Sequence, residues 1–423
     1  MTVKRKPKPG SARSTIVSAV LRLRAAPQLG RILGAAVIGL GGAWLAFALA
    51  ASGVTRQRAP ERALFFVPWD SVALAANADL ALLSKKKPRP EMLERAGRAA
   101  LRNQAVNVRA LRLLSIAAEL RRDTVRSEQL IKLAQRVSRR DMVTQFWLID
   151  EAIRKNNIPK VLSHYDIALR TNSTASQILF PRLQIAIGNA DIRKALIPYL
   201  QSEVQWGVEF LDFAKTSGSN LPSLVSLIVE NGGLGKSDRE RRLQLDLIDA
   251  LFAQQKYDDV RRLYLSGAGN NSGRLTSAAL APEDRLQLLS AVGWQVLNDA
   301  DAGGSVAADQ STSRPILALY ANAQTTRTVA RKLLFLPPGV YDFKAVIAAI
   351  SRGEGQSLSW QLRCVDPAAT GVLWTLKNIV RSTTATVTIA SGCTAQLLEI
   401  SASGGSGQVG LDATIRDVSL TRN

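Results

Sequence analysis

One histidine and two cysteines are all that 423 residues offer to zinc sites of the Cys/His type and to thiol chemistry, and there is no Cys-x-x-Cys. Zinc sites and thiol-redox cycles need such ligands in clusters, so neither is expected and no cofactor is assigned. The lone histidine, His164, has no second histidine with which to share a metal or a proton relay, and reads as structural or surface. A Ser-His-Asp constellation is not discernible around it. The carboxylate pairs Asp258-Asp259 and Glu283-Asp284 sit where helix starts and solvated faces explain them. A glycosidase would need two carboxylates across a cleft, an arrangement that sequence neither shows nor forbids. The expectation is a noncatalytic protein.

Acidic residues are also missing from the start of the chain. Lys4, Arg5, Lys6, Lys8, Arg13, Arg22, Arg24 and Arg31 precede the first long apolar run with no Asp or Glu among them. From Ile32 to Gly53 there is then no charge at all. Roughly 20 apolar residues at ~1.5 Å each span the ~30 Å hydrocarbon core of a bilayer. Positive flanking charge keeps its side of such a helix cytoplasmic, so residues 1–31 read as a basic cytoplasmic tail and 32–53 as a transmembrane helix. The remainder would face the periplasm of a bacterial inner membrane. Ala48-Leu49-Ala50 has the small-x-small form of a signal-peptidase site, but both the leader and the apolar run are long for a cleaved signal. Residues 16–23, apolar but broken by Arg22, would suit a short helix on anionic headgroups.

The chain carries a formal charge of +21, which by itself would raise nucleic acid as a partner. Export argues against that. Without the eight leader charges, 47 Lys+Arg face 34 Asp+Glu, and a solvated face accounts for the excess, or, if a partner does, anionic lipid or acidic polysaccharide. Cys364 and Cys393, the only cysteines, lie in strand-like surroundings, and an oxidising compartment makes them a disulfide candidate.

Residues 54–298 read as helical, with apolar residues three and four apart. Ala100, Ala134 and Ala168 are 34 residues apart, each near the end of a helical pattern, and Ala63 lies 37 upstream of the first, with Lys85-Lys86-Lys87-Pro88 as the insertion. That period belongs to helix–turn–helix units that cannot bury their apolar faces alone and therefore stack. The pattern resembles the tetratricopeptide repeat family. The family's small residue and helix-ending proline appear together at Ala63 and Pro68, and Leu247-Ile248, Leu251, Tyr257, Val260 and Tyr264 match one unit's apolar positions. The resemblance implies a solenoid that binds proteins on its concave face. Residues 186–236 keep no register. Trp147, Tyr165, Phe180 and Tyr264 are expected in the core, and Trp206 and Phe210, four apart, on one helical face. Gly232-Gly233-Leu234-Gly235-Lys236-Ser237 superficially suggests a phosphate loop, but Glu230 stands where that motif needs glycine, so a helix-ending turn is expected.

Residues 299–314, small and polar without periodicity, read as a flexible linker. Beyond it the period changes to two. Tyr341, Phe343, Ala345 and Ile347 alternate after Pro337-Pro338-Gly339, as do Leu358, Trp360, Leu362 and Cys364, then Val387 and Ile389, then Leu411, Ala413 and Ile415 followed by Val418 and Leu420. About seven to nine short strands over residues 315–423 suggest a β-sandwich of jelly-roll type. The architecture resembles carbohydrate-binding modules, which implies sugar binding through exposed aromatic rings. Trp360 reads as core, leaving Trp374 as the candidate stacking platform. The fold class is thus multidomain, α then β. The expected role is a membrane-anchored scaffold that binds envelope or polysaccharide-assembly proteins. The alternative is a glycan-binding or glycan-modifying protein acting through the terminal domain.

Overall fold

The computed structural model describes residues 12–83, 89–234, 237–267, 272–286, 290–351, 353–367 and 369–423. Lys4, Arg5, Lys6 and Lys8 of the leader, the insertion Lys85-Lys86-Lys87-Pro88, and Gly235 and Lys236 lie outside the described residues. The chain divides into two compact units, Met1–Asn172 and Ser173–Asn423, so the later helices group with the sheets rather than with the earlier helices.

In the first unit α1 (Ala12–Thr55) runs unbroken from the basic leader through the apolar run, and residues 16–23 are not a separate surface helix. Its Arg31–Thr55 portion is long and apolar enough to cross a membrane by length and composition, and the rest of the protein hardly covers it. Then come α2 (Pro60–Phe66), α3 (Ser71–Leu83), α4 (Pro90–Asn103), α5 (Val108–Leu120), α6 (Thr124–Val137), α7 (Met142–Arg154) and α8 (Ile158–Thr171). The boundaries of α4 and α5 recur at α6 and α7 with a displacement of 34 residues, and those of α6 recur once more at α8.

The repeat has a local cause. The backbone N–H groups of Val67, Gln104, Ser138 and Asn172 donate to the carbonyls of Ala63, Ala100, Ala134 and Ala168, closing α2, α4, α6 and α8 in the same way. All four alanines are fully buried, and a small side chain there lets paired helices approach closely. Side-chain oxygens of Asn107, Asp123, Asp141 and Asn157 accept the amide three residues on, starting α5 to α8. Such caps satisfy donors that the first helical turn leaves without partners, each contributing about 1 kcal/mol. Arg122 and Asn156, 34 residues apart, both take left-handed backbone in the tight turns after α5 and α7.

The second unit opens with α9 (Ala175–Ala186), α10 (Ala190–Gln201), α11 (Gln205–Ser217) and α12 (Leu221–Glu230), where the register lapses. Pro181 and Pro198 inside α9 and α10 each remove a backbone donor from the helical ladder. The turn after α12 is the expected glycine stop: Gly232 and Gly233 both have positive φ. A Cβ on Gly233 would fall 2.2 Å from the Ser266 carbonyl oxygen, so the close approach also demands glycine. Ser237 then opens α13 (Asp238–Ala253) with a reciprocal capping box to Glu240. Together α13 and α14 (Tyr257–Ser266) bury Leu247, Ile248, Leu251, Val260 and Tyr264.

After α15 (Ser272–Thr276) and two 3-10 turns come ten strands among the described residues: β1 (Gln295–Val296), β2 (Ala302–Ala308), β3 (Pro315–Ala321), β4 (Thr326–Leu334), β5 (Gly339–Ile350), β6 (Gln356–Cys364), β7 (Gly371–Ile379), β8 (Thr383–Ile389), β9 (Gln396–Gly404) and β10 (Leu411–Arg422). They form two five-stranded antiparallel sheets, ordered β1-β4-β9-β6-β7 and β2-β3-β10-β5-β8. The pairs β3·β10, β4·β9, β5·β8 and β6·β7 nest inside one another, which is a folded antiparallel ribbon wound into a jelly roll. Inward residues of both sheets share one core around Trp294, Trp360 and Phe343. The step from Ile415 to Val418 that breaks the alternation of β10 coincides with register shifts in its pairing to β5.

Two boundaries differ from the sequence reading. β1 at 295–296 already pairs with β4, so the sheet begins before residue 298. Residues 299–314 are not a flexible linker, because β2 pairs with β3 from Ala302 to Ala308. Its glycines mark crowding, not looseness: a Cβ on Gly304 would fall 2.2 Å from the Ala318 carbonyl oxygen. Asp299 fastens the turn before β2 by accepting the amides of Asp301 and Ala302, and Asp309 does the same after it for Ser311 and Thr312.

Candidate functional site

Two features hold charged or aromatic groups in an arrangement that sequence reading did not foresee, one in each unit.

In the first, α5 is the most deeply buried helix of the repeat, yet it carries a charge inward. The Arg112 side chain is 5% exposed, and its guanidinium donates to both Asp141 oxygens at 2.6 and 2.7 Å and also to Asp79. Asp79 comes from α3 and Asp141 is the cap of α7, so one arginine links three successive odd-numbered helices. Burial alone would raise the Asp141 carboxyl, but the Arg112 charge overrides it and holds the group below its ordinary value. His164 is a structural residue: it is buried with Nδ1 3.0 Å from Gln145 Oε1, and burial, with the Lys160 charge, lowers its pKa. Tyr165 is buried as expected. Trp147 is not: it is half-buried, its indole N–H donates to Glu119 at 2.8 Å, and the Arg154 guanidinium lies 5.6 Å from the ring centre. A partly exposed tryptophan flanked by arginine is the composition of a protein-binding anchor.

The second feature is a cleft of about 470 Å³ where the α13–α14 turn faces the β4-β9-β6 face of its sheet. Phe252 and Tyr257 line one wall; Arg331, Arg363 and Leu397 line the other. Arg331 lies 4.7 Å from the Phe252 ring centre and donates through Nε to Gln295 at 2.9 Å. Arg363 forms a two-point pair with Glu399 at 2.7 and 3.2 Å. Burial pushes the Tyr257 phenol up against the opposing pull of both arginines, so it stays a neutral hydrogen-bonding group. Asp249, the carboxylate at the margin, is already held by Ser290 and Gln295. The cleft therefore presents guanidinium and phenol donors beside aromatic faces, which is chemistry for binding an acidic or hydroxyl-rich ligand.

Trp374 lies outside that cleft. Its register partner is the core residue Leu362, and its half-buried ring sits 4.8 Å from that of Phe343, so it packs inward rather than offering a free face to a sugar. Trp360, Phe180, Tyr264, Trp206 and Phe210 are buried as expected. Cys364 and Cys393 are bonded, with Cα atoms 5.8 Å apart. Asp284, read as a capping or solvated carboxylate, is buried instead and accepts the amides of Ala281 and Trp294, whereas Asp258 and Asp259 do occupy the first turn of α14. Among the described residues no three metal-ligating side chains cluster.

No protein-family model and no curated protein matches the chain. Among solved structures it is similar to the enzymatically active domain of tailspike protein 4 from Bacteriophage CBA120, with 9% identity and a TM-score of 0.24 over 34% of this chain and 21% of that one. It is also similar to an arabinose-bound MgGH51 α-L-arabinofuranosidase, with 13% identity and a TM-score of 0.24 over 37% of this chain and 28% of that one. The chain thus spans less than a third of the length of either, and neither likeness bears on its activity.

Proposed function

We propose that this is a noncatalytic scaffold anchored in a bacterial inner membrane by α1, with the rest of the chain in the periplasm, where tetratricopeptide-like helix pairs bind a protein of polysaccharide or envelope assembly. The observation that carries the reading is the stack itself: helix pairs that repeat every 34 residues from α4 onward follow a helix apolar enough to span a bilayer. Stacked pairs present extended surfaces and need no chemistry of their own. The buried contact of Ala48 fits an anchor that is retained, because cleavage near that residue would strip α2 of its neighbour.

Crosslinking in intact cells, followed by mass spectrometry of the full-length protein, tests the reading. Reproducible envelope-assembly proteins, lost with Trp147→Ala in a chain that still folds, are the expected result. Recovery of glycan with no protein neighbour would overturn it. That outcome would favour a second reading, in which the Arg331 and Arg363 cleft binds acidic polysaccharide like a carbohydrate-binding module. Retention on such a polysaccharide, weakened by salt and by Arg331→Gln, would be its signature.

A further inference from the structure

The residues that follow α1 do not lead away from it. Ala48 and Ser52, one helical turn apart, are the buried positions near its end, because α2 and the start of α3 lie against that face. The Phe47 ring meets Phe66 edge-on at 5.9 Å. Ser52 donates to one oxygen of Asp70 at 2.7 Å, while the other oxygen accepts the amides of Val72 and Ala73 and so caps α3. The chain after Thr55 therefore folds back beside the last turns of α1.

Depth follows from helix geometry. Phe47 precedes Thr55, the last residue before the first charge at Arg56, by eight positions, or roughly 12 Å along the axis. A ring touching Phe47 stands level with the upper acyl chains of the leaflet into which α1 ends. Beside Phe66, Phe65 is 82% exposed, and Trp69 is 57% exposed three residues on. Arg56, Arg58 and Arg62 are exposed on the same short stretch. Water is a poor medium for two such rings, and the described residues leave both largely uncovered. Aromatic rings beside arginines are the composition of a membrane–water interface, where rings sit among headgroups and guanidinium groups meet phosphates.

We propose that residues 56–69 form an interfacial foot, with Phe65 and Trp69 inserted at the headgroup level of the leaflet at the C-terminal end of α1 and Arg56, Arg58 and Arg62 on lipid phosphates. The proposal rests on α1 spanning a bilayer. It goes beyond an anchor, since the foot fixes the first helix pair to the membrane surface instead of leaving it on a free tether.

The test uses the full chain in phospholipid nanodiscs, carrying a genetically encoded environment-sensitive fluorophore in place of Phe65, Phe47 or Val106. Val106 is an exposed apolar residue in the turn between α4 and α5. Lipids brominated high on the acyl chain are expected to quench the probe at 47 and at 65 several-fold more than at 106, and aqueous iodide to do the reverse. Iodide quenching at 65 with lipid quenching kept at 47 would overturn the foot and leave the span standing. Loss of lipid quenching at both would overturn the span itself. Protection at 65 from both quenchers would mean that a protein surface covers the ring, and would also overturn the proposal.

Discussion

Lys332 occupies a core position of β4. Alternation places it with Ala330 and Leu334, both inside the sandwich, and its ammonium group reaches the Ala279 carbonyl at 3.0 Å. Burial pushes its pKa down to about 8; the Asp284 carboxylate opposes that shift, and Arg274 adds to it. Asp284 is itself pushed up, first by burial, with Lys332 opposing. The unfolded chain holds the lysine proton up to the ordinary value of 10.5, so between about pH 8 and that value the unfolded state binds more protons than the folded one. Stability contributed by this group must therefore rise with pH across that window. Below about pH 8 the cost of burying the charge is present in full, about 3 kcal/mol by linkage. Lys332→Met removes the titration while keeping the shape. Its other consequences, a lost bond to Ala279 and a lost neighbour for Asp284, do not vary over this range. The difference in unfolding free energy between wild type and variant should consequently change by about 3 kcal/mol, in favour of the wild type, between pH 7 and 11. Urea unfolding of the full chain in detergent, followed through the buried Trp294 and Trp360, measures it. Parallel curves for the two proteins across that range would refute the reasoning.

Two further perturbations probe the units separately. Arg112→Ala leaves the Asp79 and Asp141 carboxylates without their shared cation and should cost about 3–5 kcal/mol, read as a lower unfolding midpoint of the helical unit. The part of that stabilisation tied to Asp141 is present above the ordinary aspartate range. It is lost as pH falls through the lowered folded value, so the variant's deficit should shrink in acid. Cys364 and Cys393 are 29 residues apart, and a bond closing a loop of that size restricts the unfolded chain by about 3–4 kcal/mol. Denaturant titration of the double serine variant checks this. An unchanged midpoint would show that the bond does not form in the native protein.

The sandwich was largely legible because its strands obey a period of two with large apolar residues inward: Leu358, Trp360, Leu362 and Cys364 are each buried. The helix pairs were legible through Ala100, Ala134 and Ala168, because one steric requirement recurs at each. Illegible were positions where a tertiary neighbour redefines a residue. Gly303 and Gly304 look like linker until β3 is placed against them. Trp374 looks available until Leu362 is seen to be its partner. Of the candidate cleft, Tyr257 stood out only as a helix-packing position, and Arg331 and Arg363 not at all. They face the α13–α14 turn from strands dozens of residues away, and no spacing rule joins them. Arg112 and Lys332 were hidden because charged side chains are assigned to the surface by default.

The nesting of the ribbon also orders events in time. β6 and β7 are neighbours in the chain, but β3 must find β10 across most of the domain, and β10 lies at the centre of its sheet rather than at an edge. A chain that emerges N-terminus first holds β3 and β5 with bare backbone between them until Leu411 and the residues after it arrive. Closure of the sandwich is thus postponed to the last strand in the sequence. The disulfide, which bridges the end of β6 to the segment just after β8, needs only residues already delivered. Oxidation can brace the half-wound ribbon while its outermost pair is still missing, an advantage where such long-range pairing is slow.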